Sequence, residues 1–251
     1  MKVGAFVLHL ARAEARRKNA EALLETCGLD GEIWPAVDGA SLSAAELDAV
    51  YRPRLFRPWY PFKLRPGEIG CFLSHRQIWA EIVRRDLDAA LILEDDVALE
   101  WPLFAPARDL ALRHIGSLGY IKMRPHAPKG RLQPIDQRCG ANIVKAENPG
   151  LGATAQLVSR SGAAQLLKHC ATFDRPVDTF VQSHWFTGLP PSTVYPSGVV
   201  HIDAELAGST IQRHNRGLIE KLRREIQRGR YRRAVRRFSP ANGNRMIAPK
   251  P

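Results

Sequence analysis

The sequence predicts an α/β fold: one domain built on a mostly parallel sheet with helices on both faces, followed by a basic helical tail. Two observations carry that expectation. First, Leu91-Ile92-Leu93 runs unbroken into Glu94-Asp95-Asp96 and returns to apolar character at Val97. An apolar run of this kind is a strand buried on both faces, as a parallel sheet covered by helices requires. Second, the chain has 251 residues and is 45% hydrophobic, enough for one sizeable core with appendages. In open α/β sheets the ligand crevice lies outside the carboxyl ends of the strands, which is where these three acids fall. Three adjacent carboxylates need a counter-charge, and Mg²⁺ or Mn²⁺ suits carboxylate oxygens.

Taken in order, Val3 to Leu10 reads as the first buried strand. A helix follows, cationic at its start (Arg12, Arg16, Arg17, Lys18) and ending at Cys27-Gly28. That strand-to-helix junction is where a βα crevice would accept a nucleotide diphosphate. Ile33 to Val37 is a short strand closed by the turn Asp38-Gly39, and Ser43 and Glu46 mark a capped helix start. Tyr51 to Pro66, rich in Pro, Arg and aromatics, reads as a loop. Pro66 opens a strong helix with Ile69, Phe72, Leu73, Trp79, Ile82 and Val83 at helical spacing; Glu68 and His75 project from one side of it, two turns apart. A helix over 101–115, a strand over 119–123 and a Pro/Gly-punctuated loop or hairpin over 125–150 come next. Thr154 to Val158 is a strand, Ser159 to Leu167 and Pro176 onward begin helices, and Tyr195 to His201 is the last strand.

The net charge of +12 belongs to the tail. From Ile211 onward there are 13 Lys and Arg against two acids, leaving 24 against 23 in the rest. Domain boundaries are therefore expected at 1–212 and 213–251. In the tail, Leu218, Leu222 and Ile226 recur every fourth residue, and Val235 and Phe238 extend the stripe. A basic amphipathic helix of this kind lies on an anionic membrane surface. The expected location is cytoplasmic, peripheral at the inner face of the cell membrane. No apolar run reaches 18 residues and the N-terminus carries no signal-peptide pattern, so neither a span nor a leader is expected. The four cysteines are scattered, which argues against a zinc site or disulfide framework. Neither Gly-x-Gly-x-x-Gly nor Walker A occurs, so this is neither a dinucleotide fingerprint nor a P-loop.

The motifs Leu10-Ala11-Arg12…Arg16-Arg17, Ala36-Val37-Asp38-Gly39, Gly67-Glu68-Ile69-Gly70-Cys71-Phe72-Leu73-Ser74-His75 and Leu93-Glu94-Asp95-Asp96-Val97 occur in sequence. They are followed by Gly152 to Ser159, Gly162-Ala163 and Pro176-Val177-Asp178. In this order they resemble glycosyltransferase family 25, the bacterial lipooligosaccharide galactosyltransferases and their collagen-modifying relatives, over residues 3–212. The resemblance implies a GT-A-like, Rossmann-type fold, a UDP-sugar donor (UDP-galactose above all), Mn²⁺ or Mg²⁺, and an inverting transfer to a saccharide, lipid-linked or free. It also implies that Glu94, Asp95 and Asp96 bind the metal and that Arg12, Arg16 and Asp38 face the nucleotide. Glu68, Ser74 and His75 lie in the central signature. Gln156 and Ala13 depart from it, standing where an aromatic and a small hydroxyl residue are usual.

Inverting transfer needs a base on the acceptor hydroxyl. Asp178, at a helix start after a Pro, is the first candidate and Asp174 the second. His201 is a candidate third metal ligand. Two other classes of function compete: a nucleic-acid- or membrane-binding protein without catalysis, and a metal-dependent phosphohydrolase using Asp95 and Asp96. The tail's few aromatics and the missing acid or His ligands at regular spacing weigh against them, so nucleic acid is not an expected partner.

Overall fold

The computed structural model describes residues 1–202 and 218–238, with side chains in the last segment from Arg224 onward. Its strands are β1 (Val3–His9), β2 (Gly31–Pro35), β3 (Ala89–Glu94), β4 (Val97–Leu99), β5 (Tyr120–Met123), β6 (Leu132–Arg138), β7 (Ala141–Ala146), β8 (Ala155–Ser159), β9 (Ser192–Tyr195) and β10 (Val199–His201). The helices are α1 (Arg17–Thr26), α2 (Ala44–Val50), α3 (Pro66–Arg84), α4 (Trp101–Leu118), α5 (Arg160–Leu167), α6 (Val177–Gln182), α7 (His184–Thr187) and α8 (Leu218–Phe238). Eight strands form one sheet in the order β2-β1-β3-β8-β5-β9-β7-β6, and β4 pairs with β10 outside it. The pairings make β8 and β7 run against the other six, so the sheet is mixed and mainly parallel in direction.

The strand predicted over Leu91–Leu93 is the third from one edge, and its three side chains are fully buried. Two apolar layers explain why no polar residue interrupts it. Ala89, Leu91 and Leu93 face α1 and α4, while Ala90 and Ile92 face α3, α5 and α6. On the α3 face, stacked Phe72 and Phe173 (centroids 3.7 Å apart) anchor an aromatic cluster with Trp79 and Phe180.

Glycines set how closely α3 approaches the segment after β2. A Cβ on Gly70 would lie 2.5 Å from the Val37 carbonyl oxygen and 2.6 Å from the Gly39 nitrogen. Only bare backbone fits there, which pins the Asp38-Gly39 turn against the start of α3. The capping box of α2 is formed by Ser43 and Glu46 as expected. The 125–150 stretch is largely a β6–β7 hairpin, and the predicted last strand is divided between β9 and β10.

The tail does form a helix, but its packing corrects the expected stripe. Ile226 is half exposed, whereas Tyr231, Val235 and Phe238 turn to the body. Tyr231 packs edge-on to Tyr60, and its hydroxyl accepts a hydrogen bond from Arg175 at 3.2 Å. Phe238 lies against Trp185, and Arg224 sits over Phe62. The contact face is spaced 224, 228, 231, 235, 238. The side chains of Leu218 and Leu222 and the expected boundary at 212/213 lie outside the described residues. Among those described, no helix is long and apolar enough to cross a membrane.

Candidate active site

Parallel register builds the site. Leu8 of β1 is level with Glu94 of β3, so the next residues, His9 and Asp95, meet. His9 Nδ1 lies 2.7 Å from Asp95 Oδ2, and Arg16 donates to Asp95 Oδ1 at 3.1 Å and to Asp96 Oδ2 at 3.4 Å. The amide of Asn19 donates to the Asp95 and Val97 carbonyls, fixing the turn between β3 and β4. Two expectations are corrected here. Asp95 is buried against His9 and Arg16 rather than turned to a metal, and Arg16 is the buried counter-charge of the acidic turn rather than an open contact for nucleotide.

Glu94 points to the α3 face. His75 Nε2 lies 3.4 Å and Cys71 Sγ 3.9 Å from its Oε1. The Gln156 amide nitrogen contacts both His75 Nδ1, at 2.8 Å, and the Ala153 carbonyl, at 3.2 Å. With that nitrogen donating to both, His75 Nδ1 is an acceptor, its proton sits on Nε2, and the ring donates to Glu94. His75 is fully buried and therefore orients Glu94 rather than touching donor. Cys71, His75 and Glu94 offer atoms within 4.8 Å of one another. Burial, together with Glu94, Asp178, Asp96 and Glu68, holds the Cys71 thiol well above its ordinary range. The trio is a hydrogen-bonded support, since a metal would need the thiolate and a bare Nε2.

Glu68, Glu94, Asp96 and Asp178 are each near enough to the Cys71 thiol to act on its charge. Glu94 and Asp96, at the β3 end, are the hard oxygen donors that could hold a divalent cation. His201 is level with Val97 across the β4–β10 pair, and the Ile202 N–H donates to the Asp96 carbonyl. The His201 ring is exposed. Asp178, half buried at the start of α6, accepts from Gly152 N at 3.1 Å, Thr179 N at 2.6 Å and Thr179 Oγ1 at 3.2 Å. The loop giving Gly152 is tied down by Lys122, whose Nζ donates to the Gly150 carbonyl at 2.6 Å, and by Gln182, which bonds Asn148 and Pro149.

Asp174 is corrected as a candidate base. It is fully buried, pairs with Arg175 at 2.7 Å and accepts the Phe56 N–H, so it holds the 56–58 segment instead of meeting an acceptor. Ser74 is likewise structural: it accepts the Val37 N–H and donates to the Gly70 carbonyl. Glu68 caps α3 through the Arg65 N–H while its charge still reaches the site. Arg12 and Asp38 pair at 2.7 Å on the surface. The Ala40 N–H, with Arg12, holds the Asp38 carboxyl below its ordinary range. Beside this pair a crevice of about 660 Å³ opens at the ends of β1 and β2, lined by His9, Ile33, Arg17 and Lys18 and by the acids Glu14 and Glu21, the second paired with Arg17 at 2.8 Å. Register alone would have found His9. Asn19, Lys122 and Gln182 carry no motif, and act through backbone carbonyls and, for Gln182, the Asn148 side chain as well.

The acidic turn after β3 and the crevice at the ends of β1 and β2 lie at the strand ends of an α/β sheet, the place where such sheets hold their ligands. The chain belongs to glycosyltransferase family 25: the model described as "Glycosyltransferase family 25 (LPS biosynthesis protein)" matches residues 3–181. A glycosyltransferase 25 family member of Aedes aegypti is 31% identical over 185 residues, 70% of this chain and 29% of that protein. Procollagen galactosyltransferase 2 of Homo sapiens is 39% identical over 100 residues, covering 38% and 16%. The human inactive glycosyltransferase 25 family member 3 is 40% identical over 98 residues, covering 38% and 16%. The matches thus span less than a third of the length of these curated relatives.

Proposed function

We propose that this chain is an inverting, metal-dependent galactosyltransferase that moves galactose from UDP-galactose to a saccharide of a lipopolysaccharide or lipooligosaccharide. The observation that carries the reading is the placement of Glu94 and Asp96 at the carboxyl end of the buried strand β3, where an α/β sheet holds its ligand. The family's description and the galactosyltransferase among its relatives support it. Lys18, and Arg17 shared with Glu21, are the cations the crevice offers to the donor phosphates. Glu94, contacted by His75, and Asp96, contacted by Arg16, are the carboxylates at the β3 end that would hold the metal. Mn²⁺ or Mg²⁺ bound there would supply Lewis-acid neutralisation of the leaving diphosphate. Asp178, with three donors fixing its carboxylate, takes the proton from the attacking hydroxyl. A nucleotide-release assay across UDP-sugars tests this. UDP-galactose should give the fastest release, excess EDTA should abolish it, and Mn²⁺ should restore it. Full activity in EDTA contradicts the metal, and no release from any donor contradicts the transferase.

We further place the enzyme at the cytoplasmic face of the cell membrane, held by charge. With Tyr231, Val235 and Phe238 engaged by the body, α8 offers exposed Arg230, Arg233, Arg236 and Arg237 outward. Each cation near an anionic surface contributes about 1 kcal/mol. Protein should pellet with phosphatidylglycerol vesicles, not with neutral ones, and come off in high salt.

A further inference from the structure

A second cleft, of about 700 Å³, lies between α6, the loop before β8, the segment after β5 and α8. Its chemistry differs from that of the donor crevice. Arg124, Lys129, Arg228 and Arg232 line it, and among the described lining residues there is no carboxylate. Arg228 has an ionic partner in Glu225 and Arg124 donates to the Leu151 carbonyl, while Lys129 and Arg232 are exposed. Aromatic faces come from Tyr60 and Tyr231. Asp178 adjoins the lining Thr179, and its charge acts on both tyrosines. Asp178 also accepts from Gly152, next to the lining Leu151, so the cationic cleft opens beside the candidate base. Aromatic surface suits the faces of a sugar ring, and guanidinium groups suit phosphate or carboxylate.

From this we infer that the cleft is the acceptor site and that it selects a saccharide carrying an anionic group, a phosphate ester or a carboxylate, near the hydroxyl to be galactosylated. This rests on the transferase reading and narrows it to a class of acceptor. Part of the selecting wall comes from α8, which lies beyond the family-matched residues 3–181. Two of the four cations, Arg228 and Arg232, come from this helix, and Arg124 and Lys129 from the segment after β5.

The test is direct binding, independent of turnover. Methyl β-glucopyranoside, its phosphate ester and the corresponding glucuronide are titrated calorimetrically into the full-length protein, with inorganic phosphate alone as a fourth probe. One or both charged sugars should bind about tenfold or more tighter than the neutral one, as charge-assisted hydrogen bonds imply, and also more tightly than phosphate alone. Which of the two leads tells phosphate from carboxylate. Arg232→Gln and Arg124→Gln should each lower the charged-to-neutral ratio. Lys168→Gln, at an exposed position outside the cleft, should leave it unchanged. Equal affinity for all three sugars overturns the inference, as does displacement of the charged sugar by UDP, which would make the cleft part of the donor site. Phosphate binding as tightly as the sugar ester removes the saccharide claim. Failure of the transferase reading shows separately, as absence of nucleotide release from every donor.

Discussion

At the scale of single residues, neighbouring carboxylates in one chain have opposite duties. Asp178 and Asp174 are four apart, yet one is held by three neutral donors at the site and the other is sealed against Arg175. Asp178→Asn should lower turnover by a factor on the order of 10² to 10⁴ with donor binding little changed, read from steady-state kinetics. Loss of donor affinity at unchanged turnover would move Asp178 to the donor site. Asp174→Asn should instead destabilise the fold by about 3–5 kcal/mol in denaturant titration, because Arg175 is left buried without its anion. Asp95 and Asp96 share Arg16, but Asp95 also meets His9 and is the more deeply buried of the two. The acidic motif was legible as a cluster, because three acids after a buried strand stand out. Which acid turns inward was not. That depends on His9 arriving beside Asp95 through the β1–β3 register, and on Arg16 folding under the turn. Arg16, Ser74 and His75 carry motif positions, but their work is done on other protein groups.

At the scale of elements, the approach of α3 to the Asp38-Gly39 turn is the most exacting contact. Gly70→Ala would drive a methyl into the Val37 carbonyl and the Gly39 nitrogen. Overpacking of this kind costs roughly 1–3 kcal/mol. Since the turn carries Asp38 and its partner Arg12, the variant should also weaken UDP binding, whereas the exposed Gly67→Ala, with nothing near its Cβ, should do neither. Thermal melting and UDP titration of both variants check this. Strands and helices were legible almost throughout, because buried apolar runs and capping residues act locally. The face of α8 was not. Its apolar residues were counted as one stripe, but the body supplies Arg175 and Tyr60 as partners for Tyr231, a polar aromatic that periodicity in aliphatics overlooks. Burial pushes the Tyr231 phenol up to about 12, so this anchor stays protonated.

Across the whole molecule, the sheet changes character from one end to the other. Ile92, Gln156 and Lys122 are level on adjacent strands, so the α3 face passes from hydrocarbon to polar groups within three strands. Burial lowers Lys122 from 10.5 to about 8, with Asp178 opposing the shift. Between those values the unfolded chain holds a proton that the folded chain has released, so stability from this group rises with pH across that window. Its penalty is complete below about pH 8. Against Lys122→Met, the wild type should therefore gain relative stability as pH rises from 8 toward 10.5, and a flat difference in denaturant midpoints would contradict it. Such coupling between distant strands is invisible in sequence, where Lys122 and Gln156 look like misplaced polar residues in apolar runs. One consequence follows from α8 forming a wall of the second cleft. Thermodynamic reciprocity requires that whatever docking the helix does for a ligand's affinity, the ligand does equally for the docking of the helix. An occupied cleft should then slow amide hydrogen exchange along 224–238, which makes the C-terminal helix a reporter of acceptor capture.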